Sequence, residues 1–221
     1  MRLSRFSAGT GRLALFGARH PAYDGGRDFG LGLNTTNMAL LEFSIRDYCA
    51  ADFSRLWEID QRCFPPGISY TQMDLSGFIA KRHAITLVGE VQPAEPAPER
   101  AVPCADATPQ DLIAGFVVAH VIRRKYGRIL TLDILPEARR YGLGTKLMTA
   151  CEVRLRSLGC DEVYLETAVN NQPALRLYTK LGYQILRTLP GYYASHSLDA
   201  FQMRKRLVAS SENLNPSGKE T

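Results

Sequence analysis

A mixed α/β domain wrapped around one sheet is the fold this sequence predicts, and three patterns predict it. Apolar stretches of strand length alternate with stretches of helical periodicity from about residue 42 to residue 207. Residues 112–122 are almost continuously apolar, which suits a strand buried on both faces. A strand candidate at 129–135 gives way, through Gly142 and Gly144, to an amphipathic helix candidate at 142–158.

Size and charge set the outer bounds. The chain has 221 residues, enough for one good-sized domain with tails. A hydrophobic fraction of 45% suits a soluble globular protein. No apolar run approaches bilayer-spanning length, so no membrane partner is expected. The net charge is +5, but residues 1–37 supply +3 of it through Arg2, Arg5, Arg12, Arg19 and Arg27 against Asp24 and Asp28. The rest shows no basic stripe with interleaved aromatics, which argues against a nucleic-acid partner. Cys49, Cys63, Cys104, Cys151 and Cys160 are odd in number and form no C-x-x-C pair. That scatter fits reduced thiols and a cytoplasmic location, with neither a disulfide framework nor a zinc site. The histidines lack ligand-like spacing, and no metal is expected.

Each element follows from its local pattern. Residues 1–40 read as a disordered or spurious extension, rich in glycine and arginine, and the first 23 residues lack Asp and Glu in mild resemblance to a transit peptide. The domain itself spans 41–207. It begins with a short strand at 42–46. A helix at 51–63 follows, with Phe53, Leu56, Trp57 and Ile59 near one face, and Phe64-Pro65-Pro66-Gly67 stops it. A second helix runs over 71–82 with Met73, Leu75, Phe78 and Ile79 as anchors, then a strand over 84–91. Residues 92–110 form a long Pro/Ala-rich loop. After strand 112–122, a turn at 123–127 leads into strand 128–135. Helix 142–158 carries Leu143, Leu147, Ala150, Cys151, Leu155 and Leu158 on one stripe, with Gly159 placed as its C-terminal cap. A strand at 162–168, a helix at 171–181 closed by Gly182, and strands at 183–189 and 199–207 complete the domain; 208–221 is a frayed tail.

The first chemical signal is Arg139-Arg140-Tyr141-Gly142-Leu143-Gly144-Thr145. Two glycines let the chain turn tightly and leave main-chain amides bare to a ligand. The helix start adds unpaired N–H groups and a partial positive charge, which together suit a pyrophosphate. Two other phosphate motifs are excluded. Leu147 stands where the dinucleotide fingerprint needs its third glycine, and no Gly-Lys-Ser/Thr follows as in a P-loop. The plain alternative is a structural turn.

A second segment makes the reading specific: Leu165-Glu166-Thr167, then Asn171-Gln172-Pro173-Ala174-Leu175-Arg176-Leu177-Tyr178-Thr179-Lys180-Leu181-Gly182-Tyr183. With Arg139-x-x-Gly142-x-Gly144 before it, residues 42–207 resemble the GCN5-related N-acetyltransferase (GNAT) superfamily. Cys63-Phe64-Pro65, Glu166 with Tyr178, Tyr192-Tyr193 and Asp199-Ala200 resemble the ribosomal-protein alanine and N-terminal protein acetyltransferases within it. The resemblance implies a single domain with a mostly antiparallel, twisted sheet of about six to seven strands flanked by helices. It also implies transfer of an acetyl group from acetyl-CoA, as cosubstrate, to an amine. The 92–110 loop and the N-terminal extension depart from the family pattern.

The resemblance also implies roles, each with a plainer alternative. Backbone groups of Ile134 and Leu135 would meet the pantetheine arm and the oxyanion. Amides from Arg139 to Thr145, including Arg140, Gly142, Leu143 and Gly144, would hold the pyrophosphate, with the two arginines adding charge or forming a solvated turn. Asn171 would meet a cofactor amide, or cap its helix, or both. Tyr178 would protonate the leaving thiolate; otherwise it is a core residue at helical spacing with Ala174, Leu177 and Leu181. Glu166 would deprotonate the amine; otherwise it is a solvent-facing charge. Phe64, Tyr192 and Tyr193 would line the acceptor groove; otherwise they are loop aromatics. Attack is direct, since no cysteine is placed as an acyl carrier. A modest base suits a protein N-terminus, because a lysine costs about 3.4 kcal/mol more than an α-amine to deprotonate at neutral pH. A small amine remains the second acceptor class, which a screen of peptides against polyamines and aminoglycosides separates. A non-catalytic acyl-CoA sensor is the third reading, and turnover separates it.

Overall fold

The structure, a computed structural model, describes residues 42–64, 68–92, 112–123, 125–193 and 198–207. Strand β1 (Phe43–Asp47) leads through a short 3-10 turn into α1 (Phe53–Cys63) and α2 (Gln72–Ile79). Strands β2 (Ala84–Val91), β3 (Ile113–Arg123) and β4 (Tyr126–Ile134) follow, then α3 (Leu143–Ser157). Strand β5 (Glu162–Ala168), α4 (Gln172–Lys180), β6 (Gln184–Tyr193) and β7 (Leu198–Arg206) close the domain. The strands form one seven-stranded sheet in the order β1-β2-β3-β4-β5-β7-β6, antiparallel throughout except where β4 meets β5. The fold is thus a single α/β domain with a mostly antiparallel sheet.

Sequence explains the element ends. The Thr71 hydroxyl accepts the Asp74 amide at 3.1 Å and caps α2. Gly159 and Gly182 take φ of +84° and +90° just past α3 and α4, a conformation that glycine adopts without a Cβ clash. Helices α1 and α3 both pack across β3 and β4, so Ile113, Ala114 and Phe116 through Ala119 on β3 are fully buried. Cys151 faces the core of α3.

Four local expectations need correction. Helix α2 stops at Ile79, and Met73, expected as an anchor, is 82% exposed while Leu75 is buried. The turn expected over 123–127 is tighter, because Arg123 already pairs with Tyr126. Strand β6 does not end at 189 but continues through Pro190 and Gly191 to Tyr193, with a register shift between Leu189 and Tyr193 absorbing the irregular backbone. It is an edge strand, where a proline lacking an N–H is tolerated. Strand β4 is not regular either. Val118 pairs with Thr131 and Ala119 with Ile129, so Leu130 is an extra, bulged residue. The bulge has a direct consequence for side chains: Arg128, Thr131 and Asp133 share one face, which a regular strand would forbid.

Candidate functional site

The site begins where β4 and β5 part. They pair only at Tyr126↔Glu162, Gly127↔Val163 and Arg128↔Tyr164. Beyond that the strands diverge, so the facing main-chain edges toward Ile134 and Ala168 are not satisfied by each other. On β4's other edge the Leu135 amide donates to the Ala114 carbonyl at 2.9 Å. This corrects the expectation that Leu135 supplies a free N–H to the pantetheine or oxyanion: the β3/β4 ladder uses that donor. The Ile134 carbonyl accepts from Arg139 Nε at 2.9 Å and from Cys63 Sγ at 3.2 Å. Burial, with Asp133 nearby, pushes the Cys63 thiol up to about 12, so it is no nucleophile at neutral pH.

The glycine turn closes one end of the divergence. Arg140 and Gly142 take φ of +72° and +88°, and Gly142 is the N-cap of α3. A Cβ at Gly142 would meet nothing within 4 Å, so the backbone alone demands glycine there. Gly144 is needed for another reason: a Cβ would stand 3.0 Å from Ile134 Cδ1 and 3.1 Å from Leu177 Cδ2. Its bareness seats the helix start against β4 and α4. The bond from the Lys146 amide to the Gly142 carbonyl is 3.1 Å, so the amides of Leu143, Gly144 and Thr145 precede the helical ladder. Arg139 is half-buried and braces the Ile134 carbonyl, whereas Arg140 is exposed. Asn171 is buried; its Oδ1 accepts the Ala174 amide at 3.2 Å and its Nδ2 donates to Thr167 Oγ1 at 3.4 Å. It caps α4.

Beside the divergence lies an ion-paired cluster. Glu166 on β5 is only 3% exposed, which rules out the solvent-facing alternative. Its Oε2 accepts from Arg128 Nε at 3.0 Å and Nη2 at 2.8 Å, and its Oε1 from Gln202 Nε2 at 2.9 Å. Arg128 Nη2 also donates to Tyr192 Oη at 3.1 Å. Burial works against the Arg128 charge, but Glu166 and Tyr192 outweigh it and hold the guanidinium more firmly protonated than usual. Lone-pair counting leaves Glu166 one acceptor position, on Oε1. Tyr192 belongs to β6 rather than a loop, and its ring meets Tyr193 edge-on at 5.1 Å. Tyr193 is buried with Ala168 and Ala200. Phe64 is buried in the main core, not displayed as a groove wall; residues 65–67 lie outside the described residues.

A second buried cluster sits under the same strand. Tyr178 on α4 is fully buried, stacks edge-on with Tyr183 at 5.9 Å, and its hydroxyl has no hydrogen-bond partner among the described residues. Burial, then Asp133, raises its pKa above the ordinary tyrosine range. Asp133 Oδ1 accepts the Thr131 hydroxyl, and its Oδ2 has no partner among the described residues. Burial and then Asp60 raise the Asp133 carboxyl well above the usual carboxylate range. Arg128, Gln202, Asp60 and Asp133 were not singled out by sequence, although a lone acid inside the apolar 129–135 run is a visible anomaly. Among the described residues no three His, Cys, Asp or Glu side chains converge as a metal ligand set.

Known proteins are similar to this chain in sequence or in fold. An N-alpha-acetyltransferase of Sulfurisphaera tokodaii is 39% identical over 80 residues, 36% of this chain and 47% of that one. The chain spans about half the length of the curated relatives it matches. The crystal structure of Ard1 from Thermoplasma volcanium is similar with a TM-score of 0.62 and 25% identity, over 76% of this chain and 99% of that one. Arabidopsis thaliana NAA60 in complex with acetyl-CoA shares the fold at a TM-score of 0.60 and 20% identity, over 75% of this chain and 99% of that one. The pattern of the acetyltransferase (GNAT) family matches residues 53–183, from the first residue of α1 to the one just after Gly182. That stretch is more than half of the chain and takes in the divergent strands, the glycine turn and Tyr178, and the chain belongs to the acetyltransferase (GNAT) family.

Proposed function

We propose that the chain transfers the acetyl group of acetyl-CoA to the α-amine of a protein N-terminus. One observation carries the reading: β4 leaves β5 after three paired residues, beside a helix start whose first amides lie outside the helical ladder. Such a slot offers main-chain partners to an extended amide-bearing arm and amides to a diphosphate. The fully buried Tyr178 hydroxyl, without a partner among the described residues, supports the fit, since a thioester sulfur is a partner it could take. The relatives and neighbours named as N-terminal acetyltransferases support the acceptor class. Residues 41–207 are the proposed catalytic unit, and the free cysteines support a reducing, cytoplasmic setting. Among the described residues no helix is long and apolar enough to cross a membrane.

The roles follow from placement. The amides of Leu143, Gly144 and Thr145, with exposed Arg140 beside them, hold the diphosphate; Arg139 shapes the turn through the Ile134 carbonyl. Asn171 caps α4 and borders the slot. Bound acetyl-CoA supplies a thioester whose carbonyl carbon takes the neutral amine and whose thiolate departs. Tyr178 gives that thiolate a proton. Glu166 accepts the amine's proton at its remaining lone pair, directly or through water. Arg128 fixes the carboxylate and carries Tyr192, and Tyr192 and Tyr193 shape the acceptor side. The test is acetyl-CoA consumption against peptides that differ in their first residue, with polyamines and aminoglycosides in parallel. Turnover that depends on the peptide's first residue supports the proposal. Turnover of small amines alone, or none at all, overturns it.

A further inference from the structure

We propose that Gln202 is a positioning residue which, itself oriented by Arg187, holds the second oxygen of Glu166 and aims its one remaining lone pair at the acceptor amine. This rests on the reading of Glu166 as the base. Gln202 on β7 stands directly opposite Glu166 on β5, and its partner on the other side is Arg187 on β6. The second pairing depends on an irregularity. Ile185 pairs with Met203 and Arg187 with Gln202, so Leu186 is an extra residue in β6. In a regular ladder Leu186 would stand opposite Gln202. The extra residue brings a guanidinium there instead, and Leu186 is left exposed.

The three side chains form a row of hydrogen bonds across the strands. Arg187 Nε donates to Gln202 Oε1 at 2.9 Å, and Gln202 Nε2 donates to Glu166 Oε1 at 2.9 Å. Chemistry fixes the orientation of the amide between them. A guanidinium only donates, so the Gln202 carbonyl faces Arg187 and the NH2 group faces Glu166. The reversed amide would set N–H against N–H on one side and oxygen against carboxylate on the other. Arg187 is exposed and stands two strands from Glu166, about 10 Å at ordinary strand spacing, so it reaches the base through Gln202. The ladders joining β5, β7 and β6 are main-chain bonds, and the sheet does not need this row to hold.

The row matters to the base because of how the other oxygen is held. Both Arg128 bonds go to Glu166 Oε2. With Arg128 alone, the carboxylate has one oxygen fixed and can swing about it. Gln202 fixes the second oxygen, so donors on β4 and β7 together set the carboxylate plane. One Oε1 lone pair is left, with a single direction. An ammonium acceptor that meets it gives up a proton: its N–H bond breaks, an O–H bond forms on Oε1, and the nitrogen lone pair is released to attack the thioester. The proton then passes to water. A base displaced by about 1 Å loses much of its effect.

The experiment measures steady-state kinetics with a peptide acceptor for wild type, Gln202→Met, Arg187→Met and the double variant. Gln202→Met keeps the length of the side chain and removes its amide. It should lower kcat about tenfold while the peptide KM and the acetyl-CoA affinity stay within about twofold of wild type. Arg187→Met should lower kcat about threefold, and should add nothing in the Gln202→Met background, because it acts through that amide. Side-chain amide NMR gives a reading independent of turnover. The Gln202 NH2 resonances, identified by their loss in Gln202→Met, should shift in Glu166→Gln and in Arg187→Met. A Gln202→Met kcat within about twofold of wild type, a raised peptide KM with unaltered kcat, additive losses in the double variant, or Gln202 resonances indifferent to Glu166→Gln overturns the inference. If Gln202→Met does not fold, the kinetics and the resonance shift of Arg187→Met, a change at an exposed site, decide in its place. Glu166→Gln separates the two layers. If it slows turnover while Gln202→Met does not, only the Gln202 role falls; if it leaves kcat unaltered, the base reading falls and takes this one with it.

Discussion

Arg128 shows how much a single side chain can hold. It binds one Glu166 oxygen twice and the Tyr192 hydroxyl once, from a largely buried position. Replacing one partner of such a pair leaves a buried charge without its counter-ion, which costs about 3–5 kcal/mol. Arg128→Met should accordingly lower the urea midpoint sharply, and adding Glu166→Gln should recover most of the loss. Denaturation of both single variants and the double variant checks this, and additive losses would contradict the pairing. In the proposed reaction Tyr178 adds modestly to the rate. Proton delivery from an ordinary phenol to an ordinary thiolate is uphill by about 2 kcal/mol, burial of Tyr178 makes it more so, and the thiolate leaves well unaided. Tyr178→Phe should lower kcat by about tenfold with little change in acetyl-CoA affinity, as read by steady-state kinetics and calorimetry. His120, opposite Arg128 on β3, gives a pH signature. Burial, then Lys81 and Arg128, lower its pKa to about 4. Between the ordinary histidine value of about 6.5 and that value the unfolded chain takes up a proton that the folded chain refuses. Stability therefore falls as pH falls through this window, and His120→Gln should flatten that part of the urea-midpoint profile.

At the scale of elements, the glycine turn and the bulge do the positioning. Gly142→Val would force a branched residue to φ near +88°, a conformation it adopts only with strain, and so disturb the start of α3. Acetyl-CoA affinity should fall by about tenfold or more, measured by calorimetry; unchanged affinity would remove the turn from the site. The turn was legible in the sequence because two glycines stand between an apolar strand and an amphipathic helix, although such a junction alone is also compatible with a plain structural turn. Element order was legible too, since periods of two and of about 3.6 differ over a few residues. The bulge at Leu130 was not legible, because nothing in Ile129-Leu130-Thr131 distinguishes an extra residue from a regular one. Without it Arg128 and Asp133 would lie on opposite faces, so neither could be assigned to the site by alternation. The run of β6 through Pro190 and Gly191 was hidden too, since those residues ordinarily signal a turn and only an edge position makes them harmless.

At the scale of the whole molecule, the sheet is two antiparallel blocks, β1–β4 and β5–β7–β6, hinged at three parallel pairs and covered at the centre by helices. A molecule seated between the blocks bonds to both. At a hundredfold excess over its Kd it should add about 2.7 kcal/mol of stability, and free CoA should match acetyl-CoA because the arm and diphosphate are common to both. Thermal melts and amide exchange check this, with new protection expected at the Ile134 and Ala168 ends of β4 and β5. Protection confined to one block would contradict the seat. The Arg128–Glu166 contact was beyond sequence reading at this scale: 38 positions separate the two residues, and only the parallel register of β4 and β5 brings them together. The same division has a lasting consequence. Under the proposed function the donor seat is written in main-chain atoms, which nearly any side chains can present, whereas the acceptor side is written in side chains such as Arg128, Glu166 and Tyr192. On that reading, mutation can rewrite the acceptor while leaving the donor untouched.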